Sequence, residues 1–443
     1  MRSILLILFW LLIVLVGQSQ QIFFSSFIEI SGAGDGYGRP RIVLTSENNP
    51  LIIWRKDSSP KVLRASKWDG NNFSAPYDIL QPGIIPSSWD GPEVASKGDT
   101  VYVVFTSTVT SQSSILLIKS FNGGLTFSDT IRVSANNSLH KYRMGNIAVN
   151  SEGNPVVSYM QYLLNWMDPQ QMVNVSNNYG SSFNGPIEGS ALAPGEPCDC
   201  CKSSLVCSGD NLFLLFRNNY NNERNSFIAK SIDGGLSFIA TTDLDDYDWM
   251  LNSCPATTPR GVIVDDSVVI VKRSGSTGNN EIVCSSVNII DLSYSYNNNI
   301  DLIVGVQQDY PEISANKDTI VVVWQDNRSG IQDCYVSIST NGASSLNGSI
   351  SFTDSTTVGY KSDPDVVYNK GEIHLVYLDN TQYKILYVKA SFDMLNEVLD
   401  VEEASNQISK VIDLSGRETK EKKNIPLLYI YDDGTVEKRI TID

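Results

Sequence analysis

Histidine is nearly absent: the 443-residue sequence holds two, His140 and His374. Neither neighbours a cysteine, so a metal site built on the cysteines would have to be all-thiolate. Positive charge is also short, with 33 Lys and Arg against 49 Asp and Glu and a net charge of −16. That deficit excludes the counterion-release footprint of a nucleic-acid binder and argues equally against anionic membrane surfaces as partners. Apolar runs of membrane-spanning length are missing after the first twenty residues. A dinucleotide loop is missing too, because GAGDGYG, from Gly32, has Tyr37 at its third glycine position and no helical pattern behind it.

The one apolar run is at the start, MRSILLILFWLLIVLVGQSQQ, with a cation at Arg2, apolar residues from Ile4 to Val16, and small residues Gly17 and Ser19. This pattern predicts a secretory signal peptide, residues 1–19, and a secreted or cell-surface protein. The apolar run reaches only about 20 Å in helical form, short of a bilayer core of roughly 30 Å, so no transmembrane anchor is expected after cleavage.

The rest of the chain is repetitive. A turn followed by a short apolar strand recurs at Pro40, Pro92, Gly145, Ser203, Pro259, Pro311 and Pro364, with spacings of 52 to 58 residues. Each start leads to a second strand that is apolar on successive residues, as in DTVYVVF and DTIVVVW, which predicts burial on both faces. A third strand runs into an Asp/Asn-Gly turn and a fourth, more polar strand follows. Four short antiparallel strands at this period read as propeller blades, seven of them, or six if one start is misplaced. The seventh unit lacks a fourth strand, and an orphan strand, FFSSFIEIS from Phe23, precedes the first. Pairing the two would close the ring.

The turns between third and fourth strands share a pattern, clearest in SFNGGLTF (Ser120, Asn122, Gly124, Phe127) and SIDGGLSF (Ser231, Asp233, Gly235, Phe238). Asp or Asn can bond its own turn, the glycines supply positive φ, and the aromatic closes the turn between sheets. These stretches resemble the Asp-box of the bacterial neuraminidase repeat, which implies an all-β, sialidase-like propeller in which the boxes are structural. The tail, with DLSGRE from Asp413 and a Tyr-rich strand, resembles the C-terminal sorting domain of the type IX secretion system of Bacteroidetes. That resemblance implies a small β domain that is recognised by the secretion machinery. The expected organisation is a signal peptide (1–19), a propeller (20–396) and a sorting domain (397–443).

PCDCCKSSLVC and the later DWMLNSCP resemble a group of bacterial sialidase-like repeat proteins, with Cys198, Cys200, Cys201, Arg217, Arg224, Asp248, Trp249, Cys254 and Pro255 in the shared positions. Asp199 and Ala256 depart from that pattern. An odd total of seven cysteines in an exported chain predicts disulfides with at least one thiol left over. Cys254 is expected to pair with Cys198, Cys200 or Cys201, since both segments connect adjacent blades on one face. A tetrahedral thiolate site and a reactive free thiol are the alternatives; no metal or other cofactor is expected.

Sialidases hold a substrate carboxylate with three arginines, use a Tyr activated by a Glu as nucleophile, and protonate the leaving oxygen with an Asp. The resemblance implies that such groups sit near the starts of inner strands, where this chain carries Arg39, Arg41, Arg143, Arg260, Tyr310 and Asp90. The F/Y-R-I-P motif of working sialidases is absent: Tyr37 to Ile42 has the same residue types in another order. Arginines gathered beside Tyr310 would favour an exo-sialidase-type glycoside hydrolase. Arginines each paired with a carboxylate would favour a glycan-binding or interaction module, whose partners would be glycans or surface glycoconjugates. Trp89, Tyr247 and Trp249, in the same connections, are candidates for stacking on sugar rings.

Overall fold

The computed structural model describes residues 22–88, 90–108, 113–343, 346, 348–392, 408–431 and 436–439. The expected signal peptide, Trp89 and the final four residues lie outside the described residues. Residues 22–391 form one unit and 392–443, with 1–21, another.

The first unit consists of seven successive antiparallel sheets. Blade 1 begins at Tyr37–Leu44, blade 2 at Glu93–Lys97, blade 3 at His140–Val149, blade 4 at Ser204–Ser208, blade 5 at Arg260–Val264, blade 6 at Gln308–Asn316 and blade 7 at Lys361–Asn369. These innermost strands touch their neighbours in cyclic order, the seventh against the first, so the sheets close into a seven-bladed ring. The N-terminal strand completes blade 7: Ile28 and Glu29 pair with Tyr387 and Leu386, and Ser25 N–H donates to the Lys389 carbonyl at 2.8 Å. That pairing removes the open edge the ring would otherwise carry.

The second strands are buried along their length, Thr319–Asp326 on every residue, which is why the sequence shows them as unbroken apolar runs. The core lies between blades. Leu51, Ile53 and Leu63 of blade 1 pack on Val101, Val103 and Phe105 of blade 2. Ile42, Ile52 and Trp54 meet Val376, Leu378 and Tyr387 of blade 7.

The Asp-box turns carry the hydrogen bonds their residue types suggest. Asp233 Oδ1 accepts from the Ser231 hydroxyl at 2.7 Å and from the Leu236 and Ser237 amides at 3.0 and 2.9 Å, and Gly235 N–H donates to Ser231 Oγ at 2.9 Å. Burial alone would raise the Asp233 carboxyl, but the hydroxyl and amide donors together outweigh it and hold its pKa at about 2. Asn122 and Ser120 repeat this arrangement in blade 2, and Asn178 and Ser176 in blade 3. Phe127 and Phe238 pack against inter-blade core clusters. Gly235 has φ +98°, and a Cβ there would stand 2.7 Å from Leu212 and 3.1 Å from Val175 of the preceding blade. Gly235→Ala is therefore expected to cost about 1–3 kcal/mol in urea unfolding through strain and overpacking. A change indistinguishable from zero would mean that the turn is free to shift.

The second unit contains a three-stranded sheet of Ile408–Asp413, Leu427–Tyr431 and Val436–Arg439. Asp413 Oδ1 accepts from the Ser415 and Arg417 amides, and Gly416 takes φ +82° in the same turn. Leu427 and Tyr429 are buried among its described residues.

Candidate functional site

In or just before the first strands of five blades, a residue in the left-handed region stands directly before the residue that starts the repeat: Arg39 (φ 55°), Gly91 (62°), Met144 (61°), Tyr310 (50°) and Asp363 (49°). Four of these precede a proline, where the following residue further restricts the backbone. Glycine would take this conformation most cheaply, as Gly91 does, whereas a non-glycine residue there is strained by about 1–3 kcal/mol. Blades 6, 7 and 1 are consecutive around the ring, and at this position they carry Tyr310, Asp363 and Arg39.

Those three side chains line a cavity of about 280 Å³ together with Arg55, Ser88, Gln325, Gln332 and Ser362. The Arg39 guanidinium lies 5.4 Å from the Tyr310 ring centroid, and its Nε is 3.7 Å from Asp363. Arg39 keeps 22% of its side chain exposed. Arg55 is fixed from behind, donating to the Ser87 carbonyl and to Asp57, both at 2.7 Å. Burial, then Asp309 and Asp363, push the Tyr310 hydroxyl above its ordinary pKa. That direction opposes a phenolate, which a tyrosine nucleophile requires.

Two residues further along, side chains from five of the inner strands meet one another, joined by Lys202 from just before the blade 4 repeat start. Arg41 Nη2 pairs with Glu93 at 3.1 Å and Glu312 at 3.2 Å, Arg260 pairs with Glu93 at 3.0 Å and Glu312 at 2.9 Å, and Lys202 Nζ reaches Glu93 at 2.8 Å. Asp365 accepts from the Ile42 amide at 2.9 Å and adds a third carboxyl beside Arg41. Three cations and three carboxyls thus meet with nearly all their surface buried. Burial raises the Glu93 carboxyl, but Arg260, Arg41 and Lys202 outweigh it and hold it well below the usual range. Asp365, with fewer cationic contacts, is pushed up by burial to about 7. Burial likewise pulls the Lys202 ammonium down to about 8, against the pull of Glu93.

The six sequence-selected residues therefore divide. Arg39 and Tyr310 share the cavity. Arg41 and Arg260 are committed to Glu93 and Glu312 and line no part of it. Arg143 lies over the Trp166 ring, its guanidinium carbon 3.8 Å from the centroid. Asp90 accepts from the Thr106 hydroxyl at 2.5 Å and the Met144 amide at 2.7 Å, which ties the lead-in of blade 2 to the first strand of blade 3. Of the two arrangements the sequence left open, Arg41 and Arg260 show the one in which arginines are paired with carboxylates. Trp249 is also structural, buried between Arg217 and Arg273. Tyr247 is 74% exposed and lines a separate polar cavity of about 510 Å³ with Asp245, Asp246 and Asn297 to Asn299.

Lys202, Asp363 and Asp365 were missed from sequence. The signal for the last two was the repeat itself, since Asp363 aligns with Arg39 and Asp365 with Arg41. Cys254 pairs with Cys200, within the set the sequence allowed.

No family model matches this sequence, and no curated protein matches it. Among solved structures, a protein of unknown function from Dyadobacter fermentans is similar at 10% identity and a TM-score of 0.50, over 84% of this chain and 99% of that one. Hadza microbial sialidase Hz136 matches at 14% identity and a TM-score of 0.49, over 67% of this chain and 66% of its own. Trypanosoma rangeli sialidase matches at 10% identity and a TM-score of 0.47, over 83% and 59%. This chain thus spans less than two thirds of those two sialidases. At 10% identity the likeness to the Dyadobacter fermentans protein is one of fold alone, and the all-β propeller architecture rests on the seven sheets of this chain itself.

Proposed function

We propose that the chain is a secreted or cell-surface glycan-binding propeller, with its sugar site in the cavity between blades 6, 7 and 1. The observation that carries this reading is the convergence of Arg39, Tyr310 and Asp363 on one cavity from three equivalent strained positions. A guanidinium, an aromatic, a carboxylate and two amides suit a sugar's hydroxyls and any acidic group it bears. Binding is favoured over sialidase-type hydrolysis because two of the candidate arginines are spent on Glu93 and Glu312 and the Tyr310 hydroxyl is held toward its neutral form. Export by the N-terminal segment, and recognition of the tail by type IX machinery, belong to the same reading.

A glycan array followed by calorimetry tests it. The expected result is saturable binding that Arg39→Ala weakens at least about tenfold, equivalent to about 1.4 kcal/mol, while Tyr247→Ala leaves it unchanged. Binding lost with Tyr247→Ala and kept in Arg39→Ala would move the site to the other cavity. Release of a fluorogenic aglycone from an α-sialoside, abolished by Arg39→Ala, would overturn the proposal in favour of the hydrolase.

A further inference from the structure

Four sulfurs meet where the lead-in to blade 4 approaches the lead-in to blade 5. Cys200 and Cys254 form a disulfide, and Cys254 is exposed. Beneath it, fully buried, lie two free thiols. Cys198 Sγ is 3.5 Å from Cys200 Sγ and 3.1 Å from Cys201 Sγ. The sulfur contacts thus run in sequence from the exposed Cys254 through Cys200 and Cys198 to the buried Cys201, with the Cys198, Cys200 and Cys201 sulfurs all within 4.8 Å of one another.

The inner thiols are held in place by their surroundings. Cys198 N–H donates to the Arg217 carbonyl at 2.8 Å, Cys201 N–H to the Cys198 carbonyl at 3.1 Å, and Gln171 Nε2 to the Cys201 carbonyl at 3.3 Å. Arg224 Nη1 points at Cys198 Sγ from 3.5 Å. Arg217 is fully buried beside it, with its Nε lacking a partner. The two thiols differ in acidity. The Cys201 S–H donating to Cys198, helped by Arg224 and Arg217 and opposed by burial, brings Cys198 down to about 7, whereas burial pushes Cys201 well above its ordinary value. A thiolate beside a disulfide, with a second thiol behind it, is the arrangement that thiol–disulfide exchange needs.

We propose that Cys198, Cys200, Cys201 and Cys254 form a thiol–disulfide relay that moves the disulfide between the surface and the interior. In the first step the Cys198 thiolate attacks Cys200 Sγ. A Cys198–Cys200 bond forms, the Cys200–Cys254 bond breaks, and Cys254 leaves with the electron pair and takes up the proton Cys198 had lost. In the second step Cys201, deprotonated as it attacks, bonds to Cys198 Sγ, and Cys200 leaves and takes its proton. The product has a buried Cys198–Cys201 disulfide and two thiols at Cys200 and Cys254. Two thiols and one disulfide are present before and after, so no external oxidant or reductant is consumed. The surface pair is then open to low-molecular-weight thiols and disulfides, which the buried pair cannot meet directly. The three sulfurs of Cys198, Cys200 and Cys201 lie close enough to hold a soft metal ion. With Cys200 already bonded to Cys254 and two arginines beside Cys198, exchange fits the observed groups better.

The test is disulfide mapping of the intact folded protein. Samples are held across a series of glutathione ratios, acid-quenched, alkylated, digested and analysed by mass spectrometry. The expected result is a Cys198–Cys201 cross-linked peptide that appears together with alkylated Cys254, in matching amounts, before all four thiols are reduced. In Cys201→Ser, checked for native circular dichroism, a Cys198–Cys200 peptide should accumulate instead. The relay is overturned if Cys200–Cys254 passes directly to four thiols in wild type with no peptide linking Cys198 at any ratio. It is overturned as well if the reduced protein takes up one Zn²⁺ per chain and loses alkylation at the cluster, which would make this a metal site.

Discussion

Glu93→Ala is expected to lower the unfolding free energy by about 3–5 kcal/mol, the usual cost of removing one partner from a buried ion pair. Glu93 is the carboxylate that Arg41, Arg260 and Lys202 all contact within 3.1 Å. Its removal leaves three buried cations facing Glu312 and Asp365, and of these Asp365 is pushed toward its protonated form. Arginine cannot escape by losing its proton, so the cost falls on the fold. The acid limb of stability gives an independent check. The folded pKa of Glu93 is depressed, so its contribution is present above the ordinary carboxylate value and is lost as pH falls through the folded one. Glu93→Gln should therefore show a shallower loss of stability on acidification than wild type. A urea midpoint for Glu93→Ala within about 1 kcal/mol of wild type would mean that the three cations reach water.

This network explains why the fold was more legible than the site. Blade count follows from local signals repeated at a fixed period, and each unit carries its own turn and its own doubly buried strand. Closure was legible because an orphan N-terminal strand and an incomplete seventh unit call for each other. The site depends on which side chains meet across the ring, and Arg41 and Glu312 stand 271 residues apart in the chain. A partial signal existed, since the residues after the repeat starts read Arg41, Glu93, Asn146, Ser204, Arg260, Glu312 and Asp365, a mix of both signs at one structural position. Positions aligned in a propeller converge at its centre, so mixed signs there predict neutralisation and not an open anion site. Lys202 gave no such signal: it precedes its repeat start and reaches Glu93 of blade 2 only through the length of its side chain.

Cys254→Ser should cost about 2–4 kcal/mol under oxidising conditions, the range for a cross-link that closes a loop of this size. The disulfide spans 54 residues and ties the lead-in of blade 4 to that of blade 5. The connection it restrains is long and irregular: between the fourth strand of blade 4, Ala240–Asp243, and the first strand of blade 5, Arg260–Val264, there is no further strand. Leu244 and Trp249 anchor its first half in the protein. Asn252, Ser253 and Cys254 are exposed, so covalent attachment restrains the stretch that packing does not. The freed Cys200 can still pair with Cys198, but that closes a loop of only a few residues and restores little of the lost chain restriction. A reductant should accordingly lower the urea midpoint of wild type by a similar amount and leave Cys254→Ser nearly unmoved. Equal midpoints for the two proteins without reductant would show that packing at Leu244, Trp249 and Thr257 holds the connection, with the disulfide free to open at little cost to the fold.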